Sequence, residues 1–142
     1  YGVAELDALP ISYRGARLDY NERFGNRVFA HHHSELETIA ERQRNVMRAF
    51  SVLTPVIAMQ NVSTALAGTD NAHAHHFARQ AEAERQRVVN ALNRDLIVNS
   101  AGNPDYTADQ RLWRQFGVFE PASLPLIAAL RTIWPDLLIL AA

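Results

Sequence analysis

The stretch TPVIAMQNVSTALAGTD, residues 54–70, decides the fold. Thr54 can cap a helix, and Pro55 suits the first helical position because that position needs no amide donor. The residues that follow Pro55 are apolar or small on most sides. We therefore predict a second helix over 55–67, and we expect it to be the most buried element of the chain.

A tight turn closes this segment. Gly68 is expected to end the second helix, because glycine tolerates the left-handed conformation found just beyond helix C-termini. Thr69 or Asp70 then caps a third helix that runs to about residue 99. Pro55, Gly68, Thr69 and Asp70 thus read as a structural motif that orients the second helix against a long third helix over 69–99.

Upstream, apolar residues recur at spacings of three, four, seven or eight, which is typical of one helical stripe. They are Phe24, Val28, Leu36, Ile39, Val46, Phe50 and Leu53. Asp19 can cap this helix and Glu22 sits three residues later, where a carboxylate suits a helix start. We predict a long first helix over 19–53, preceded by an extended lead-in over 1–18.

Downstream, the SAGNP sequence at 100–104 marks a break. A short helix is expected from Thr107 to Phe116, and a final apolar helix near 122–133 after Pro121. No period-2 strand pattern is present. The predicted fold is all-α: a helical bundle with two long helices, about 19–53 and 69–99, and two or three shorter ones.

Composition fits one domain over residues 1–142. Hydrophobic residues make up 48% of the chain, the formal net charge is −1, and the 14 cationic side chains are all arginine. Such a weak net charge favours neither nucleic acid nor an anionic membrane. The chain has no Cys, no glycine-rich phosphate loop and no pattern of nucleophile, His and carboxylate. We therefore expect no catalytic residues, no enzyme activity and no nucleic-acid partner.

Six His residues form two groups, 31–33 and His73 with 75–76. Asp70, His73 and His76 fall at i, i+3 and i+6, which places one carboxylate and two imidazoles along one helical face. These three residues could bind zinc or copper, and a metal-handling module is the alternative function. The structural interpretation is also open: Asp70 acts as a cap and His73 as a core histidine hydrogen-bonded to its neighbours.

Both ends of the chain suggest a piece of a longer protein. It opens Tyr1-Gly2-Val3, without a start Met or a basic leader. The segment 134–142 closes with six apolar residues. This segment is expected either to dock on the core or to lead into a membrane helix, which needs about 20 apolar residues.

The stretch 54–70, followed by His73 and His76-Phe77, resembles bacterial ABC-2-type transporter permeases described as permease components for multicopper enzyme maturation. Members carry a Ser-x-x-Leu-Ala-Gly-Thr-Asp segment and a His-x-x-His-Phe motif. Asn71 and Ala74 depart from the family pattern, where an aromatic residue and a third His are expected. Further similar pieces are Gly25-Asn26-Arg27-Val28-Phe29, His32, Glu41-Arg42-Gln43 and Asn93-Arg94-Asp95.

The resemblance implies a non-catalytic domain on the extracytoplasmic, periplasmic side of the inner membrane. It implies that the domain contacts the transmembrane helices of its own parent chain and, through the parent, serves an ABC ATPase subunit. A transported substrate or a periplasmic protein is a further expected partner. No resident cofactor is implied, zinc or copper being the alternative.

Overall fold

A computed structural model describes residues 9–51, 54–103 and 105–141. Within these ranges the regular structure is helical and contains no strand, so the all-α prediction is confirmed. No helix in these ranges is long and apolar enough to cross a membrane. The helices are α1 (Tyr13–Ser51), α2 (Pro55–Leu66), α3 (Asn71–Asn99), α4 (Gln110–Arg114) and α5 (Leu126–Ala141).

The corner between α2 and α3 is built from backbone hydrogen bonds around Gly68. Gly68 has a φ of +69°. Its N–H donates to the carbonyl of Ala65 at 3.2 Å, and the N–H of Thr69 donates to the carbonyl of Thr64 at 2.9 Å. These two bonds satisfy carbonyls that a helix C-terminus otherwise leaves unpaired. Asp70 then accepts a hydrogen bond from the N–H of His73 at 3.0 Å and caps α3.

The first helix begins earlier than predicted. Residues 13–18 are helical, so the extended lead-in over 1–18 is wrong for this part, while residues 1–8 lie outside the described ranges. The start is set by Ser12, whose hydroxyl accepts from the N–H of Gly15 at 3.2 Å. Asp19 does not cap a helix; it lies within α1 and pairs with Arg23 at 2.8 Å. The predicted end at residue 53 also falls outside the described residues.

Two expectations about the apolar helices are wrong. Within α2 only Ala58 and Ala65 are buried, against three residues of α5, and Val56, Met59 and Leu66 are exposed, so α2 is not the most buried element. The last helix covers 126–141 rather than 122–133 and passes through Pro135. Residues 134–141 therefore continue α5. The short fourth helix begins at Gln110, with Asp109 as its cap.

The chain divides into two compact units. The first comprises Tyr1–His31 and Glu82–Phe119. Here the backbone N–H of Ser12 donates to the carbonyl of Ile97 at 3.2 Å, and Glu22 pairs with Arg85 at 2.7 Å. Because the later residue of α1 contacts the earlier residue of α3, the two helices run antiparallel. Gly15 allows the close approach: a Cβ there would lie 2.8 Å from the backbone nitrogen of Ile97.

Charged and aromatic side chains finish the surface of this first unit. Arg87 pairs with Glu84 at 2.6 Å, and this contact lowers the pKa of the Glu84 carboxyl. The guanidinium of Arg87 also lies 5.5 Å from the ring centroid of Phe116. Tyr106 donates to Asp95 at 2.6 Å, and this bond raises the pKa of the phenol. The contacts are exposed or half-buried, so each adds little to stability.

The second unit comprises His32–Ala81 and Glu120–Ala142. It contains α2, α5, the later part of α1 and the start of α3. In this unit α2 and α5 pack together. The candidate functional surfaces of the chain lie here.

Candidate functional site

Small side chains bring α2 and α5 close together. Ala58 and Ala65 of α2 are buried, as are Ala129 and Ile133 of α5. Three of these four residues are alanine, which lets helix backbones approach closely before side chains interlock. The pair therefore buries a narrow strip and leaves the larger apolar residues of both helices outside.

A buried carboxylate interrupts this apolar strip. Asp136 is 1% exposed, and its Oδ1 accepts a hydrogen bond from Nδ2 of Asn61 at 3.0 Å. The Nε of Arg48 lies 4.0 Å from its other oxygen. Arg48 also donates through Nη2 to the carbonyl of Thr132 at 3.0 Å. Thr132 lies one turn before Asp136 and close to Pro135, which has no N–H to contribute to the hydrogen bonds of α5. Together these groups provide the pairing that a buried charge requires.

The opposite side of α5 faces outward and is almost entirely apolar. At 100° per residue, Ile127, Arg131, Trp134 and Leu138 form one stripe, centred about 180° from the buried residues. Ile127 is 70% exposed, Trp134 57% and Leu138 60%. We refer to these four residues as the α5 face. Arg131 is its only charged member, because the one acidic residue of α5 points inward.

A pocket of about 510 Å³ lies beside this packing, and we call it the histidine pocket. The end of α2, the start of α3, the segment before α5 and the first half of α5 contribute to it. Its walls are mostly apolar, with two imidazoles and one hydroxyl. The lining residues are Ala65, Leu66, Ala67, Gly68, His73, His76, Phe77, Pro121, Ala122, Ser123, Leu124, Leu126, Ala129, Leu130 and Ile133.

Gln80 holds one wall of the histidine pocket in place. Its side-chain amide donates to the carbonyl of Ala122 at 2.9 Å, and its Oε1 accepts from the N–H of Ala122 at 2.7 Å. One side chain thus satisfies both backbone groups of a residue in an irregular segment, groups that would otherwise rely on water. This paired contact attaches the segment before α5 to α3.

Asp70 and His73 form a closely paired carboxylate and imidazole. The Nδ1 of His73 contacts Oδ1 of Asp70, the same oxygen that accepts the backbone N–H of His73. Both side chains are largely buried. Because a carboxylate accepts hydrogen bonds, this contact favours the imidazole tautomer with its proton on Nδ1. The Nε2 atom is then left as the acceptor.

His76 lies one turn further along α3, in the same pocket. Its Nε2 is shielded from solvent and has no hydrogen-bond partner among the described residues. His75, between them, lines a second groove of about 840 Å³ and has its Nδ1 3.9 Å from Glu37. Residues 31–33 are all exposed on α1.

The structure brings Asp70 and His73 into contact and places His76 in the same pocket. Over the described ranges, no group of three or more His, Asp or Glu side chains is arranged to hold a metal ion. Binding of zinc or copper by Asp70, His73 and His76 therefore stays a prediction. What the geometry does provide is a carboxylate that orients an imidazole.

We expect Asp70→Ala to lower the free energy of unfolding by about 1 kcal/mol, because the N–H of His73 loses its cap. Asp70→Asn should lose less, since its amide oxygen still accepts that bond. Urea denaturation followed by circular dichroism measures both. If the two variants were equally destabilised, the charge of Asp70 rather than its cap would be the important contribution.

Three residues of these sites were missed by sequence reasoning: Asn61, Gln80 and Asp136. Asp136 had a visible signal, since it is the only acidic residue in an otherwise apolar C-terminal segment. A lone carboxylate in such a segment indicates a buried partner. Asn61 and Gln80 had none, because their partners lie 75 and 42 residues away in the chain.

A family model described as "Domain of unknown function (DUF3526)" matches residues 1–122. The match includes the α2–α3 corner and both imidazoles of the histidine pocket, and it ends before α5. No curated protein and no solved structure matches the chain.

Proposed function

This chain belongs to the family described as "Domain of unknown function (DUF3526)", and we propose that it is a non-catalytic extracytoplasmic domain of an ABC transporter permease. In this proposal the α5 face docks on the transmembrane helices of the parent chain. The domain would then serve transport by positioning a substrate or a periplasmic partner. The ATPase subunit acts through the parent.

The observation that carries this proposal is the distribution of charge. Charged residues make up 20% of the whole chain, yet α2 contains none and α5 contains only Arg131 and Asp136. Large apolar side chains remain exposed on both helices, including Val56 and Met59 of α2. On α5 these residues form the stripe of the α5 face, and an exposed apolar patch of this kind marks a contact with protein or membrane.

The inward position of Asp136 supports the same proposal. A carboxylate on the α5 face would oppose docking against an apolar surface, because desolvating an unpaired charge is costly. Instead Asp136 is buried between α2 and α5 and paired with Asn61. The remaining charge, Arg131, has a long aliphatic stem that can lie along an apolar surface while its guanidinium reaches water or a phosphate.

The chain has no Cys, so single-cysteine labelling can test the docking. Leu138→Cys and Ile127→Cys would be compared in the isolated 142-residue chain and in the full parent reconstituted in proteoliposomes, with other cysteines of the parent replaced. We expect a polar maleimide to label both positions roughly tenfold more slowly in the parent, because an apolar interface excludes water. The measurement is the labelling rate from fluorescence in gel.

Val118→Cys is the matched control, because Val118 is an apolar residue that is 90% exposed and lies outside the α5 face. It should label at the same rate in both forms. Equal rates for Leu138→Cys in the parent and the isolated chain would refute the docking. A parent reading frame without flanking hydrophobic segments of about 20 residues would refute the permease assignment as well.

A further inference from the structure

We propose that the histidine pocket binds an uncharged, apolar small molecule that carries a hydroxyl group, and that His73 accepts the hydrogen bond of this hydroxyl. The proposal does not rest on the docking of the α5 face. It rests on the size of the pocket, on its lining, and on the Nε2 atom of His73.

Size and lining define the body of the ligand. A volume of about 510 Å³ falls within the range of pockets that hold small organic molecules, roughly 300–1,000 Å³. Apart from the two imidazoles and the hydroxyl of Ser123, the walls consist of Leu, Ile, Ala, Pro and Phe side chains, with Gly68 leaving space at one side. Among the described residues, no Arg, Asp or Glu lines the pocket. A charged ligand would therefore lose its hydration without gaining a fixed counter-charge.

The pairing of Asp70 with His73 defines the polar head of the ligand. Because Asp70 occupies Nδ1, Nε2 is the atom of His73 that is left for a ligand, and it is a hydrogen-bond acceptor. This atom borders the part of the wall that Gly68 forms, since a Cβ built on Gly68 would be in ordinary contact with it at 3.9 Å. A ligand therefore has to bring a donor to this atom.

His76 lines the pocket beside His73. It follows His73 by three residues on α3, so the two side chains lie about 5–6 Å apart at their Cβ atoms. Its enclosed Nε2 lacks a partner among the described residues, which is an unfavourable state for a buried polar atom. Because solvent does not reach this atom, a ligand in the pocket makes its polar contact with His73. A hydroxyl is the simplest uncharged group that donates to the Nε2 atom of His73.

Three probes of one shape test the proposal: naphthalene, 1-naphthol and 1-naphthoate. Isothermal titration of the 142-residue chain should give roughly fivefold tighter binding for 1-naphthol than for naphthalene, the effect of one net hydrogen bond. 1-Naphthoate should bind more weakly than 1-naphthol. In ¹H–¹³C spectra, 1-naphthol should shift the imidazole signals of His73 and His76 and leave those of residues 31–33 in place.

Variants then assign the hydroxyl contact. His73→Phe should bind 1-naphthol and naphthalene equally, because the acceptor is gone while the apolar wall is kept. His75→Phe is the matched control, since His75 lies between the two pocket histidines but lines the other groove, and it should keep the preference. Circular dichroism checks that both variants are folded.

The probe series on the unmodified chain decides the matter even if His73→Phe does not fold. Equal affinity for naphthalene and 1-naphthol, or binding of neither, would overturn the proposal. Tighter binding of 1-naphthoate would overturn it too, because the pocket would then be an anion site. None of these outcomes affects the labelling of Leu138→Cys, so the two proposals fail separately.

Discussion

Replacing Gly15 with Ala is expected to lower the free energy of unfolding by about 2 kcal/mol, whereas the same change at Gly25 should raise it by about 0.5–1 kcal/mol. Both glycines lie in α1, ten residues apart, so the two substitutions are chemically identical and differ only in their surroundings. Few pairs of sites in the chain offer so direct a comparison.

The opposite signs follow from what a methyl group meets. At Gly15 the new Cβ would lie 2.8 Å from the backbone nitrogen of Ile97 and 2.9 Å from its Cα. Backbone atoms cannot rotate away as a side chain can, so α1 and α3 would have to separate. At Gly25, among the described residues, no atom outside the local helix backbone lies within 4 Å of the added Cβ, and Ala gains only its better helix propensity.

Urea denaturation followed at 222 nm measures both variants against the parent chain. A thermal melt should rank them in the same order. If Gly15→Ala were as stable as Gly25→Ala, the close approach of α1 to α3 at Ile97 would be refuted.

Asn61→Leu is expected to lower the free energy of unfolding by about 2 kcal/mol, because Asp136 loses its hydrogen-bond donor while remaining buried. Leu has the same four side-chain heavy atoms branched at Cγ as Asn and is a good helix former, so neither a cavity nor a loss of propensity accounts for this effect. The cost comes from a carboxylate held out of water with too few partners.

The double variant Asn61→Leu/Asp136→Leu should recover most of that stability, since removing both partners removes the buried charge. Asn90→Leu, at an exposed position of α3, is the control and should change stability by less than about 0.5 kcal/mol. The parent chain, Asn61→Leu, Asp136→Leu and the double variant form a thermodynamic cycle measured by urea denaturation. Additive effects of the two changes would show that Asn61 and Asp136 do not interact.

Local signals made the α2–α3 corner predictable. Pro55 sets the start of α2, and Gly68 with φ +69° ends it, each through backbone properties that do not depend on distant residues. The start of α1 was not predictable in the same way. Glu22 resembles a capping residue, but its carboxylate pairs with Arg85, 63 residues away.

The surfaces of α2 and α5 also combine a feature that the local sequence predicts with one that depends on distant residues. Their apolar composition is readable from the sequence, but which residues become buried depends on the alignment of two helices 60 residues apart. Alanines such as Ala58 and Ala129 form the contact, and the larger residues stay outside. Average hydropathy along a helix cannot reveal this, because it ranks Ala58 below Val56 and Met59.

The contact between Gln80 and Ala122 determines how this segment can vary among homologous chains. Gln80 recognises the peptide groups of residue 122 and makes no use of its methyl group. This contact alone therefore accepts any residue at position 122 except proline, which has no N–H to donate. Position 80 has no such freedom. A Glu there could accept from the N–H of residue 122, but its second oxygen would face the carbonyl of that residue with no proton to donate. We therefore expect the glutamine to be kept while the residue at position 122 changes.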